Sequence, residues 1–211
     1  MKIRNLIYTA LFTALIAVGA YIRVPAPAVP FTLQFQFVNL AAILLGKKYG
    51  AAAAAAYVAL GLAGVPVFAG GGGIGYVLKP TFGYLIGFIA GAYAAGAYIG
   101  KTGGAGVRAA GTEAAGTGAA GAQAAGTPAA AGARIKRIIA ASFINLLIVY
   151  ATGAAYFFVV TRYYLNTPIG AGALFLQCFA LTAPGDIVLC IAGAGPADRL
   201  ISYYKKSLSH K

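Results

Sequence analysis

The sequence is short of charge, and above all of negative charge: three Asp and Glu stand against 16 Lys and Arg in 211 residues. So few carboxylates leave no pair for general acid–base work and no cluster for a hard cation. Histidine occurs once, as His210 near the C-terminus, which removes histidine-based catalysis and imidazole-ligated metals. GxxxxGK(S/T), HExxH and GxSxG are all missing, so nucleotide-phosphate cradling, zinc proteolysis and serine hydrolysis have no motif to use. The two cysteines, Cys178 and Cys190, sit in apolar runs and fit buried small residues better than a disulfide or a metal site. The chain is therefore expected not to be an enzyme, to hold no cofactor or metal, and to be unable to power transport by itself.

What is plentiful is apolar surface. Hydrophobic residues make up 61% of the chain, the composition of a polytopic membrane protein. At about 20 residues per helical crossing, the length admits about six spans with loops. Residues 1–23 read as the first of them and not as a cleavable signal, because the apolar run is too long and no small-residue cleavage pattern leads into a polar domain. The expected fold is all-α, a single membrane domain of six transmembrane helices with a short outer interfacial helix, in the cell membrane.

The bases sort by side. With the N-terminus inside, Lys2, Arg4, Lys47, Lys48, Lys101, Arg108, Arg134, Lys136, Arg137, Arg199, Lys205, Lys206 and Lys211 fall inside, and Arg23, Lys79 and Arg162 outside. Thirteen against three is the positive-inside bias of an even number of spans with both termini cytoplasmic. It accounts for the net charge of +13 through the lipid bilayer, with no nucleic acid needed.

In chain order, the first span covers 5–22 and carries Ala10 and Ala14 as an AxxxA stripe, suited either to packing within the bundle or to a partner helix. Residues 23–36, RVPAPAVPFTLQFQ, read as an extended proline-rich outer loop, with Phe31, Thr32, Gln34 and Gln36 at the mouth of the second span. They suit either a ligand lining or, for the aromatics, interfacial anchoring. The second span covers about 37–45 and the third about 49–63. The fourth, 81–100, carries Gly83, Gly87, Gly91 and Gly96 as a seam for another helix. Residues 101–134 repeat AAG in steps of five, a period that matches neither a packed helix nor a strand, and are expected to be a flexible cytoplasmic linker. The fifth span covers about 138–160 with Asn145 in its middle; 170–183 is assigned to the outer helix and the sixth span starts at Pro184, with a single span over 172–195 kinked at Pro184 as the alternative, and Pro196 bends or ends the membrane portion.

Two features stand out for function. Residues 64–87, GVPVFAGGGGIGYVLKPTFGYLIG, place four glycines, a lone lysine and aromatics between apolar runs, which reads as a loop lying on a ligand or on packed helices. Asp186, in PGD at the start of the sixth helix, is the one acid expected near the outer face. A charge at membrane depth costs about 2.5–3.5 kcal/mol, and the helix dipole returns only about 0.3–1 kcal/mol. Asp186 is thus either a structural residue of the first helical turn, a partner of Lys79 in a direct ion pair, or an acceptor for two N–H donors of a ligand whose carboxylate Lys79 would meet.

Taken together, PVFAGGGGIGYVLKPTFGYLIGF, the VPFTLQ before the second span, the AxxxA stripe and the late PGD resemble the BioY family, the biotin-specific substrate-binding component of energy-coupling-factor transporters. The resemblance covers the chain apart from the linker. It implies outer-face binding of biotin, and assembly with a transmembrane coupling protein and two ABC-type ATPases through Ala10 and Ala14. The aspartate of the family's PGDxxK falls on Asp186, but its lysine falls on Leu189, a departure that leaves Lys79 to meet the ligand carboxylate; the long linker is a second departure. The expected ligand-binding residues are Asp186, Lys79, Tyr84, Gly72, Gly73, Thr32, Gln34, Phe31, Phe68 and Asn145. Binding of another small vitamin, or a self-contained channel or facilitator with the glycine loop as its filter, are the alternatives.

Overall fold

In a chain this apolar the backbone has to satisfy its own polar groups, and helix does so within each segment. The computed structural model describes residues 3–24, 31–101, 128–165 and 182–209, with positions 170, 172, 176 and 179 between the last two stretches. Helix α1 (Ile3–Tyr21) leads to a two-residue antiparallel ladder of β1 (Arg23–Val24) and β2 (Phe31–Thr32), with Arg23 opposite Thr32. There follow α2 (Gln34–Leu62), a short 3-10 turn (Ile74–Leu78), α3 (Phe82–Lys101), α4 (Pro128–Val159) running into a π-helical turn (Val160–Tyr164), and α5 (Ala183–Ser209). Three stretches, Ile3–Tyr21, Phe82–Lys101 and Gly132–Tyr164, are long and apolar enough to cross a membrane.

Helix α2 is broken at Gly46, whose φ of 74° lies in the left-handed region open to glycine. The chain doubles back there: a Cβ on Gly50 would lie 2.7 Å from the Cα of Ala42, so 34–45 and 47–62 lie side by side. Lys47 and Lys48 are exposed at this turn, and Gly96 of α3 crosses it so closely that a Cβ would sit 2.4 Å from the Lys47 nitrogen.

The tightest packing joins α3 to α4. A Cβ on Gly83 would lie 2.2 Å from Tyr156 Cβ, on Gly87 2.3 Å from Thr152 Oγ1, and on Gly91 2.1 Å from Asn145 Oδ1. Ascending numbers on one helix meet descending numbers on the other, so the two run antiparallel along the expected glycine seam. On the other side of the bundle, Thr13 of α1 donates to the Ala53 carbonyl (3.1 Å). At the end holding Lys47 and Lys101, Arg134 pairs with Asp198 and donates to Ser202 Oγ (3.1 Å), which ties the start of α4 to the far part of α5.

Several boundaries differ from expectation. Helix α2 starts at Gln34, so Gln34 and Gln36 belong to its first turn and not to the proline-rich loop, whose residues 25–30 lie outside the described part. Past Pro30 no proline bars helix, and the Leu33 N–H reaching back to the Ile22 carbonyl (3.1 Å) closes the connection first. The end of the expected linker is helical, since α4 begins at Pro128 with proline at a first-turn position it tolerates; residues 102–127 lie outside the described part. Pro196 lies inside α5, which continues to Ser209. The outer helix assigned to 170–183 falls mostly outside the described residues, Cys178 included.

Candidate ligand-binding site

The connection between α2 and α3 has little regular structure, and its backbone groups need partners from elsewhere. They find them on three helices and within the loop. Tyr21 donates to the Pro66 carbonyl, Arg23 to that of Ala69, Tyr57 to that of Val67 (3.1 Å), Lys79 to that of Gly70 (2.9 Å) and Tyr156 to that of Val77 (2.5 Å). Phe68 and Gly71 exchange both backbone hydrogen bonds, at 2.9 and 3.1 Å, and the Gly73 N–H reaches the Gly61 carbonyl at 2.7 Å. Gly71 and Gly73 hold φ values of 110° and 99°, which a side chain would resist. A Cβ on Gly72 would strike the Val65 carbonyl oxygen at 2.3 Å. The glycines thus let the loop fold down onto the end of α2.

Beneath the loop lies a partly open cavity, the kind of mostly apolar concavity with a few polar groups that suits a small molecule. Thr32 of β2 and Gln34 and Phe35 of α2 line it on one side, Ala69, Tyr76 and Thr81 from the connection, and Tyr84, Leu85 and Phe88 from the start of α3. Val149 and Tyr150 of α4, with Thr182 and Asp186 at the start of α5, complete the wall.

Two hydrogen-bond chains border it. In the first, the Thr32 hydroxyl donates to Gln34 Oε1 (3.1 Å), the Gln34 amide to the Tyr57 hydroxyl, and Tyr57 to the Val67 carbonyl (3.1 Å). In the second, the Tyr150 hydroxyl is 2.9 Å from Thr182 Oγ1 and 2.7 Å from Asp186 Oδ2. A phenol has one proton, and the carboxylate, which only accepts, is its stronger acceptor. Asp186 is 8% exposed, and the Asp186 N–H bonds the Thr182 carbonyl at 3.2 Å in the first turn of α5. The Arg134–Asp198 ion pair lies at the other end of the bundle.

Of the residues expected from sequence, Thr32, Gln34, Tyr84 and Asp186 are in the wall. Phe68 stands behind it, edge-on to Tyr57 (centroids 5.4 Å apart) and tilted against Tyr76 (4.5 Å). Lys79 is also one layer back, its ammonium on the Gly70 carbonyl and 4.6 Å from the centroid of the Tyr76 ring. Gly72 and Gly73 shape the loop without lining the cavity, and the Phe31 side chain lies outside the described residues. Asn145 is not in the wall. It is fully buried between helices, its amide 3.4 Å from Asn39 Oδ1 while Asn39 donates to Ser142 Oγ (2.7 Å), and its oxygen fills the space left by Gly91. Ala10 and Ala14 are exposed on α1. Tyr150, Thr182, Thr81 and Phe88 were not expected; nothing local distinguishes them, because each gains its place from a helix distant in sequence. Among the described residues no group of His, Cys, Asp and Glu could hold a metal.

The BioY family profile matches residues 1–206. A protein of Lysinibacillus sphaericus named a probable biotin transporter BioY is 37% identical over 98% of this chain and 91% of its own. The biotin transporter BioY of Rhodobacter capsulatus is 33% identical over 97% of this chain and 96% of its own. A crystal structure described as the S-component for biotin from an ECF-type ABC transporter superposes with a TM-score of 0.68 over 96% of both chains, at 23% identity, and so shares the fold. A predominantly helical chain of membrane-length apolar helices, matched by this family over residues 1–206 and by relatives covered over nearly their full length, is a member of the BioY family.

Proposed function

We propose that this chain is the membrane-embedded biotin-binding subunit of a vitamin uptake transporter, taking biotin at the outer face for ATP-driven import. The observation that carries the reading is Asp186. It is a carboxylate only 8% exposed, in the first turn of a helix read as a span, with no cation within ion-pair distance among the described residues. It stands in the wall of a cavity lined by Phe35, Tyr76, Tyr84, Phe88 and Tyr150. A charge so placed costs about 2.5–3.5 kcal/mol, and a ligand that offers N–H donors offsets that cost while a lipid tail does not. Biotin's urea ring supplies such donors, and its fused apolar rings suit Tyr76, Tyr84 and Phe88. Relatives of full length named biotin transporters support the same ligand.

The arrangement across the membrane follows from the helices and the bases. Counting α1, the two halves of α2, α3, α4 and α5 makes six spans, joined by an outer helix before α5. Lys47, Lys48, Lys101, Arg134 and Arg137 gather at one end of the bundle, and the cavity opens at the other, which supports cytoplasmic termini and an outer site. Lys79 and Arg23 hold the loop carbonyls of Gly70 and Ala69 one layer behind the wall, and in this reading Lys79 is the cation that meets the ligand's carboxylate. The α1 face carrying Ala10 and Ala14, flanked by exposed Leu6, Ile7 and Leu11, is the docking face for a coupling protein that joins the chain to two ABC-type ATPases. As a transporter subunit of this family the chain is not an enzyme.

Protein purified from membranes and examined by mass spectrometry is expected to carry biotin, and labelled biotin to bind it stoichiometrically at equilibrium. A different vitamin retained in its place would contradict the ligand. Accumulation of biotin in vesicles containing this chain but no ATPase would contradict the division of labour.

A further inference from the structure

The two oxygens of Asp186 are not equivalent. Oδ2 receives the Tyr150 hydroxyl at 2.7 Å, whereas Oδ1 accepts nothing from the described residues in the wall of the cavity. Resting on the biotin reading, we propose that Tyr150 is a positioning residue: it ties down Asp186 Oδ2 so that Oδ1 alone faces the cavity and takes a single N–H of the ligand's urea ring.

Three observations make Tyr150 suited to this. Its ring is buried and clamped, edge-on to Tyr84 at 5.9 Å and tilted against Phe179 at 5.3 Å. Its hydroxyl lies 2.9 Å from Thr182 Oγ1 and 2.7 Å from Asp186 Oδ2, and of the two the ionised carboxylate, which only accepts, is the stronger claimant on its one proton. Thr182 and Asp186 are themselves joined through one helical turn by a backbone hydrogen bond of 3.2 Å. An aspartate alone turns about two bonds, and each rotamer it explores is lost on binding; one held in advance avoids that loss.

The stereochemistry of the ligand favours one contact over two. In a five-membered cyclic urea the two N–H bonds flank the carbonyl and point to opposite sides, so one carboxylate does not accept both in a fork. A single open oxygen matches one of them. The second N–H and the urea carbonyl then need other wall groups, for which the Thr81 hydroxyl and the Gln34 amide are at hand.

The test is biotin titration of the purified full chain as wild type, Tyr150→Phe, Asp186→Asn and the double variant. Removing the hydroxyl is expected to weaken binding about tenfold when Asp186 is present, and by less than about twofold in the Asp186→Asn background. A merely structural tyrosine would cost the same in both. Biotin methylated on one or the other urea nitrogen gives a second readout: the penalty for one position is expected to shrink about tenfold in Asp186→Asn and that for the other to stay. Both penalties shrinking together would overturn the single-contact arrangement. Should Tyr150→Phe not fold, Thr182→Val, which removes the hydroxyl that shares the phenol's position, is expected to cost about threefold with the same dependence on Asp186; no such dependence would overturn the proposal. Wild type that binds biotin, and loses it on Asp186→Asn but not on Tyr150→Phe, overturns the role of Tyr150 alone, whereas wild type that does not bind biotin removes the biotin reading beneath it.

Discussion

Two helices of this bundle carry small residues at helical spacing, and the structure puts them to opposite uses. On α3, Gly83, Gly87 and Gly91 are pressed against α4, with no room for even a methyl group. On α1, Ala10 and Ala14 are exposed, surrounded by Leu6, Ile7, Leu11 and Val18, each more than half exposed. Small-xxx-small is a code for close approach that does not name the partner. The address comes from the rest of the fold: α4 covers the α3 seam, while the outward half of α1 is left uncovered because its inward half, through Thr9, Thr13 and Ile16, already meets α2.

That contrast is open to breakage at each end. The largest effect is expected at the closed contact: Gly87→Val would force a branched side chain onto Thr152 and the Val149 backbone, and about 3 kcal/mol of stability would be lost, the upper part of the overpacking range. Unfolding in detergent measures it, and a loss below about 1 kcal/mol would mean that the seam is looser than described. At the open face, Ala10→Leu with Ala14→Leu is expected to leave both stability and biotin binding unchanged. The yield of coupling protein recovered with the chain should fall about tenfold, equivalent to about 1.4 kcal/mol. If stability fell instead, α1 would belong to the closed class. The smallest effect is expected at the rim: Lys79→Ala, which removes an exposed cation, should weaken biotin by about 0.5–1 kcal/mol, and less in high salt. Salt-independent loss would point to packing of Lys79 on Tyr76 as its main role.

The helical layout was legible because its signals are local. Apolar runs of membrane length, the Gly46-Lys47-Lys48 stop and the proline-led start at Pro184 need no knowledge of the partner helix. Asp186 was legible for a different reason: with three acids in the chain, one at a span entrance stands out. Tyr150 did not, being one tyrosine of 14 whose importance depends on a residue 36 positions away. Asn145 misled in the reverse sense. A polar side chain in mid-span reads as a ligand contact, yet it completes the α3–α4 seam, because the missing side chain of Gly91 leaves a gap of its shape. The start of α2 was placed late because a proline-rich loop gives no sign of where a distant carbonyl, that of Ile22, will end it.

Calorimetric titration of biotin into purified wild type and Asp186→Asn, at matched folding, probes most directly whether the acid in the cavity wall is what holds the ligand. The expected result is saturable binding to wild type and a loss of about 1.5–3 kcal/mol in the variant, the worth of a charge-assisted hydrogen bond. Equal affinity for the two proteins would contradict it.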